Sequence, residues 1–386
     1  MAADWLQGPF LYPLYKDEHH VPSALIPLLF ATGFLSGAVS GSFVGSQADK
    51  HGRKAACLFF CATYSLSCLM TVSSSRPLYL FAGRALGGLG TSLLFSVFES
   101  WMVADFHRRR QGEAVAAEDL SRTFGMMSTL NSVVAIVSGV LSEALVAATG
   151  TRKSPFVAST VFLSIAVWVI RSQWEENYGT SKERAEAGHK PAEATSSWTV
   201  FANVHLLTLG LGATLFEGST YLFIFTWTPT LEAAHESDDK LPYGIIFASF
   251  MASTLASALI FNLLMERKVV RYSTLLVAIL GASALFFLLA AGTTSEQPMF
   301  WVFCAFEAAV GMYWPCMGYL KGRLVDDRMR AHVYSLLRIP LNIFVVASLL
   351  LNAGSDDPRR VLSLCSKLLF AACGGVGLSF LSNNLP

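Results

Sequence analysis

Apolar runs of about twenty residues recur along the chain, separated by short polar breaks. They fall at 23–46, 55–74, 78–103, 120–149, 154–173, 201–229, 241–265, 272–292, 298–320, 331–352 and 360–382, with a shorter run at 2–15. A helix needs roughly 20 apolar residues to cross a bilayer. The pattern therefore predicts eleven full membrane helices and one partial one. Gly and Pro are frequent inside the runs, as membrane helices tolerate.

The polar breaks alternate in charge. One set carries Lys50, Arg53 and Lys54; Arg108, Arg109 and Arg110; Lys182, Arg184 and Lys190; Arg267, Lys268 and Arg271; and Lys321, Arg323, Arg328 and Arg330. The other set is poorer, with Lys16, Arg76, Arg152, Lys153, Lys240, Arg359 and Arg360. Basic loops stay in the cytosol, so the break at 47–54 is expected inside and the acidic break at 232–240 outside. The longest hydrophilic stretch, 174–200, divides the spans six and six. Its Ala/Glu/Lys/Ser-rich composition reads as a linker. The expected organisation is an N-terminal half at 1–173, a cytoplasmic linker at 174–200 and a C-terminal half at 201–386.

Composition agrees with a membrane protein. The 386 residues are 53% hydrophobic and 14% charged, with mean hydropathy +0.49, whereas a soluble globular chain carries about 25% charged residues. A net charge of +1 gives no sign of nucleic-acid binding. The seven cysteines, Cys57, Cys61, Cys68, Cys304, Cys316, Cys365 and Cys373, lie in apolar stretches without metal-ligand spacing and read as small packing residues. No Walker loop, nucleophile elbow or triad pattern occurs, so neither an enzyme nor a cofactor is implied. The histidines fall mainly in loops and read as solvated, and most tryptophans sit near span ends, as interfacial anchors do. The acidic, aromatic N-terminus does not read as a signal peptide.

The stretch GSQADKHGRK, Gly45 to Lys54, fits G-x-x-x-D-(R/K)-x-G-(R/K)-(R/K). It resembles the signature between the second and third helices of the major facilitator superfamily. That resemblance implies a gating loop of Gly45, Asp49, Gly52, Arg53 and Lys54. Glycine allows the tight turn, and Asp49 is suited to cap a helix start and to pair with a basic neighbour. LFAGRALGGLGTS, Leu80 to Ser92, resembles the helix-four motif of the same family, with Gly83, Gly87 and Gly90 as a small-residue packing face.

Further runs narrow the resemblance. ADWLQGPFLYPLY (3–15), GRALGGLGTSLLFSVFESW (83–101), WEENYG (174–179), LFEGSTYLFIFTWTP (215–229), YGIIFASFMASTL (243–255) and LRIPLN (337–342) are similar to the molybdate-anion transporter branch, in order along nearly the whole chain. The implied fold is an all-α, polytopic bundle of 12 transmembrane helices in two six-helix halves around a central solute site. The branch has a complete first helix with a segment before it. Here the run at 2–15 ends after about fourteen residues, and the charge pattern makes it run outward, so its missing turns are expected before Met1.

Ionisable residues inside spans face a cavity or a partner. Asp4, Glu99, Glu217 and Glu307 fall on spans one, four, seven and ten, which line the cavity in the family that the chain resembles. Asp4 and Glu217 count to about 16–18 Å from the outer ends of their spans. Glu99 lies nearer the inner end and could face the surface. These carboxylates are candidate proton carriers, since burial raises a carboxylate pKa. The basic candidates are Arg84, about 9 Å into span four, Arg122 at the start of span five, and Arg338 on span eleven beside Pro340. Structural salt bridges with the carboxylates are the competing reading.

Molybdate is a tetrahedral dianion and needs hydrogen-bond donors rather than metal ligands. Arg338, Arg84, Asn342, Asn131 and Tyr221 are the candidate contacts. The expected function is a secondary transporter for molybdate by alternating access, possible proton coupling included. The expected surroundings are a lipid bilayer, the plasma membrane by default, with no nucleic acid and no obligate protein partner. Two alternatives stand beside it: a transporter of another solute such as sulfate, an organic anion or a drug, and a non-transporting receptor or scaffold.

Overall fold

The computed structural model describes residues 1–109, 117–178, 204–237, 239–324, 330–351 and 357–381. Among these residues there is no strand, and almost every apolar run is a helix. In chain order they are α1 (Ala2–Gln7), α2 (Ile26–Gly41), α3 (Val44–His51), α4 (Arg53–Ser73), α5 (Pro77–Arg109), α6 (Ala117–Thr149) and α7 (Ser154–Gln173). They continue as α8 (Val204–Ala234), α9 (Tyr243–Glu266), α10 (Tyr272–Gly292), α11 (Glu296–Leu324), α12 (Arg330–Leu351) and α13 (Arg359–Leu381). Among the described residues nine helices are long and apolar enough to cross a membrane, ten if the bent pair α2–α3 is one span. The all-α expectation holds, and the helix bounds lie within a few residues of the apolar runs.

Two segments differ from expectation. The first run is not a uniform helix: α1 passes into a 3-10 turn at Gly8–Phe10, a short turn at Leu11–Pro13 and a π turn at Leu14–Glu18. Pro9 and Pro13 lack the amide hydrogens a regular ladder needs. The break at 47–54 is not a loop. The span bends by 49° between α2 and α3, where Ser40 and Ser42 hydroxyls bond back to the preceding turn. Gly45 and Asp49 are therefore helical.

The chain divides into two compact units, Met1–Ala192 and Glu193–Pro386. Within the first, α5 packs on α2 and α4, α7 on α4 and α1, and α6 on α1. Within the second, α11 packs on α9 and α10, α13 on α10 and α8, and α12 on α8. The neighbour scheme is the same, as expected of an internal repeat. One close approach is shared. A Cβ on Gly88 of α5 would stand 2.2 Å from the Gly33 carbonyl oxygen of α2, and one on Gly311 of α11 would stand 2.2 Å from the Thr254 carbonyl oxygen of α9. Each glycine lies four residues after an intramembrane charge, Arg84 and Glu307 respectively.

Candidate functional site

In the first unit, α1 is fastened by polar contacts. The Tyr64 hydroxyl of α4 donates to Asp4. Trp5 Nε1 donates to Asn131 Oδ1 of α6 at 3.0 Å, and Ser159 Oγ of α7 to the Ala3 carbonyl at 2.7 Å. Arg84 of α5 donates weakly to the Leu29 carbonyl of α2 at 3.4 Å, and its guanidinium carbon lies 5.3 Å from the Phe30 ring centre. It also lies in electrostatic range of Asp4 and of Tyr15. The Tyr15 hydroxyl is buried, with Thr71 and Arg84 as its polar neighbours. An arginine and a phenol hydroxyl near one another are donors that an oxyanion would engage.

In the second unit, Glu217 of α8 is 9% exposed. Its Oε1 accepts from the Tyr313 hydroxyl at 3.0 Å and from Lys321 Nζ at 3.2 Å, both on α11. Phe216 stacks on the Tyr313 ring at 3.9 Å between centres, which fixes the phenol. Lys321 was not among the expected site residues: it counted as a loop charge. Its side chain instead reaches back toward the middle of its helix. Glu307, also on α11, is 6% exposed, and its Oε2 accepts from Thr254 Oγ1 of α9 at 3.0 Å. Among the described residues no basic side chain pairs with it. The adjacent Phe306 lies against Phe223 and Phe287.

The expected gating residues are joined to a segment read as linker. Asp49 pairs with Arg53 at 2.8 Å, so it does not cap α4. The cap comes from Glu176, whose two oxygens accept from the Lys54 and Ala55 amides at 2.7 and 3.0 Å. The Asn177 carbonyl accepts from the Arg53 amide at 2.9 Å, and the Trp174 carbonyl from Lys54 Nζ at 2.6 Å. Trp101 stacks on Trp174 at 3.7 Å and donates to the Glu175 carbonyl at 2.9 Å. Residues 174–178 are thus a fixed strap rather than linker, and Trp101 and Trp174 form a stacked pair rather than separate interfacial anchors. The rest of the expected linker lies outside the described residues, as does Trp198.

The remaining candidates are dispersed. Glu99 and Arg122 are exposed, and Tyr221 and Asn342 are half-buried. Arg338 lies on α12, but its side chain is outside the described residues. Of the cysteines, Cys373 is half-buried, the other six are buried, and all seven are free. Among the described residues no group of His, Cys, Asp and Glu is arranged to hold a metal ion.

Two histidines outside the spans are structural rather than solvated. His19 is buried, with Nε2 2.7 Å from the Thr71 carbonyl and Nδ1 2.9 Å from Ser75 Oγ. Burial lowers its pKa, the Thr71 bond opposing. His235 has Nδ1 2.6 Å from Glu296 Oε2 and Nε2 2.6 Å from the Asp239 carbonyl. Two acceptors favour the imidazolium, and the Glu296 bond is the largest cause of its raised pKa.

Comparison with known proteins fits this architecture. Residues 1–353 match the family model MFS_5, described as sugar transporters with 12 TM. The Molybdate-anion transporter of Xenopus tropicalis is 32% identical over 383 residues, covering 96% of this chain and 81% of that protein. The Molybdate-anion transporter of Danio rerio is 30% identical over 410 residues, covering 98% and 82%. Among solved structures, a point mutant of the nucleoside transporter NupG superposes with TM-score 0.75 at 12% identity, covering 98% of each chain. The inward-open xylose transporter XylE from E. coli gives 0.68 at 9%, covering 96% and 92%. At such identities the structures speak for the fold alone. The chain is a multi-pass integral membrane protein of the transporter type rather than an enzyme, and it belongs to the major facilitator superfamily, in the branch of the molybdate-anion transporters.

Proposed function

We propose that the chain is a secondary transporter that takes up molybdate by alternating access, coupled to protons and acting at the plasma membrane. The observation that carries the substrate is the 30–32% identity, across nearly the whole chain, to proteins named Molybdate-anion transporter. The family description as sugar transporters is the competing pointer. Intramembrane cations favour an anion over a neutral sugar, since a charge inside a span is retained at a cost of several kcal/mol.

A dianion moving inward works against an inside-negative potential, at about 2.3 kcal/mol per charge per 100 mV, or about 4.6 for molybdate. Accumulation therefore needs a co-moving cation. More than two protons per anion makes the cycle net inward-positive. Of the four candidate proton carriers, Glu307 is best supported: it is buried, with a threonine for a partner. Asp4 and Glu217 are each held by a tyrosine hydroxyl. Glu99, being exposed, is the weakest.

For the anion, Arg84 and the Tyr15 hydroxyl offer donors in the first unit. Asn131 uses its oxygen on Trp5, which leaves its amide hydrogens directed elsewhere. Arg338, Asn342 and Tyr221 complete the proposed set in the second unit. Asp49, Arg53 and Lys54, with the Glu176 strap, form the gate element.

The test is the dependence of molybdate accumulation on an inward proton gradient in vesicles. Accumulation that collapses when a protonophore is added supports the coupled cycle. Accumulation indifferent to both gradient and potential removes it.

A further inference from the structure

Gly33 of α2 and Arg84 of α5 share one space. A Cβ on Gly33 would stand 2.6, 3.1 and 3.2 Å from Nη2, Cζ and Nε of Arg84, so its three nearest neighbours all belong to that guanidinium. The next glycines on the same face of α2 differ. A Cβ on Gly37 would lie 3.4 Å from the Gly88 carbonyl oxygen, and one on Gly41 would lie 3.7 Å from the Ser92 hydroxyl, both ordinary contacts. Alanine therefore fits at those two positions. At Gly33 it meets the tip of a charged side chain, and not the facing backbone.

The cause lies one turn further along α5. Gly88 brings α5 against the Gly33 carbonyl of α2. At that separation a guanidinium on the same face of α5 has no room beside an α2 side chain. The guanidinium is also steered from the sides. Nε donates weakly to the Leu29 carbonyl at 3.4 Å. Cζ lies 5.3 Å from the centre of the Phe30 ring, and the Tyr15 ring meets the same ring edge-on at 6.5 Å. Phe30 thus carries the guanidinium and the phenol together. Arg84 is half-buried and forms no ion pair among the described residues. Asp4, the carboxylate in its electrostatic range, accepts from Tyr64 instead.

We infer that Gly33 is the positioning residue of the anion site: it keeps open the space in which Arg84 lies across Phe30, so that the guanidinium and the Tyr15 hydroxyl engage one tetrahedral oxyanion together. This deepens the molybdate reading and rests on it. A guanidinium is a planar fork that grips an oxyanion through two nitrogens, so its orientation matters more than that of an ammonium. A methyl at residue 33 removes no donor. It turns the fork away from Phe30 and Tyr15, because the end of a long side chain yields where backbone cannot.

The experiment is equilibrium binding of radiolabelled molybdate to the purified full chain, with thermal unfolding of the same preparations. Gly33→Ala should weaken binding by about tenfold. Its melting temperature should not fall, since alanine favours a helix over glycine. Arg84→Lys, which lacks the fork, should also weaken binding by about tenfold, and adding Gly33→Ala to it should cost nothing further. Gly41→Ala is the control and should change neither readout. Full affinity in Gly33→Ala, losses that multiply in the double variant, or a melting temperature that falls together with the affinity overturns the inference while leaving the transporter reading intact. Folded wild type that binds no molybdate overturns the molybdate reading, and this site with it.

Discussion

The Glu176 carboxylate lies over Gly52 and caps α4 at 2.7 and 3.0 Å through the amides of Lys54 and Ala55. Gly52 has φ +111°, a region that favours glycine, and a Cβ there would stand 2.6 Å from the Glu176 carboxyl carbon. The gate signature and the strap after α7 therefore act as one element. Gly52→Ala should displace the cap as well as strain the backbone, at a combined cost of about 1–3 kcal/mol. Glu176→Ala should cost about 1 kcal/mol by loss of the cap alone. Thermal unfolding of the purified variants checks this, and equal melting temperatures for Gly52→Ala and wild type would contradict it.

The close helix approach makes a second prediction. Gly88→Ala sets a methyl against the backbone of α2, and Gly311→Ala against the backbone of α9, each at 2.2 Å. Backbone cannot rotate aside, so overpacking of about 1–3 kcal/mol or more follows. Gly125, with nothing within 4 Å of its would-be Cβ, is the control. Fluorescence size-exclusion profiles of the three alanine variants should show monodisperse protein for Gly125→Ala and reduced folded yield for the other two.

The helical spans were legible because twenty apolar residues per crossing is a constraint each span meets within itself. The site was less so. Lys321 reads as a positive loop residue, and only the length of α11 and the backward fold of its side chain bring it to Glu217. Residues 174–178 read as linker because Glu175, Glu176 and Asn177 are polar. Their bonds go to Arg53, Lys54, Ala55, Trp101 and Arg108, more than sixty residues earlier, and no local pattern records that. Of the two roles expected of Asp49, the pairing is found, with Arg53 at the start of α4, while the cap comes from a distant glutamate. His19 shows the same limit, since its burial against Thr71 and Ser75 comes from tertiary packing.

His235 gives a pH dependence. Its ordinary pKa of 6.5 is raised in the folded chain, first by the bond to Glu296. A group with a raised folded pKa contributes stability that is complete below the unfolded value and is lost as pH rises through the folded one. The contact should therefore hold below about pH 6.5 and fade above it. Glu296→Gln should flatten this part of the profile of melting temperature against pH. A profile unchanged by the substitution would show that the contact does not contribute.

Glu307 tests the coupling. Glu307→Gln keeps the shape and the bond with Thr254 but cannot release a proton. Molybdate accumulation driven by a proton gradient should fall by about tenfold or more, while exchange of labelled for unlabelled molybdate at equilibrium persists. Loss of both together would mark Glu307 as structural.

The most direct measurement is saturable uptake of radiolabelled molybdate by liposomes reconstituted with the purified chain, with sulfate and xylose in excess as competitors. The account predicts uptake above that of empty liposomes, persisting in excess sulfate and indifferent to xylose. Folded, correctly inserted protein that moves no molybdate, or whose uptake xylose abolishes, would contradict it.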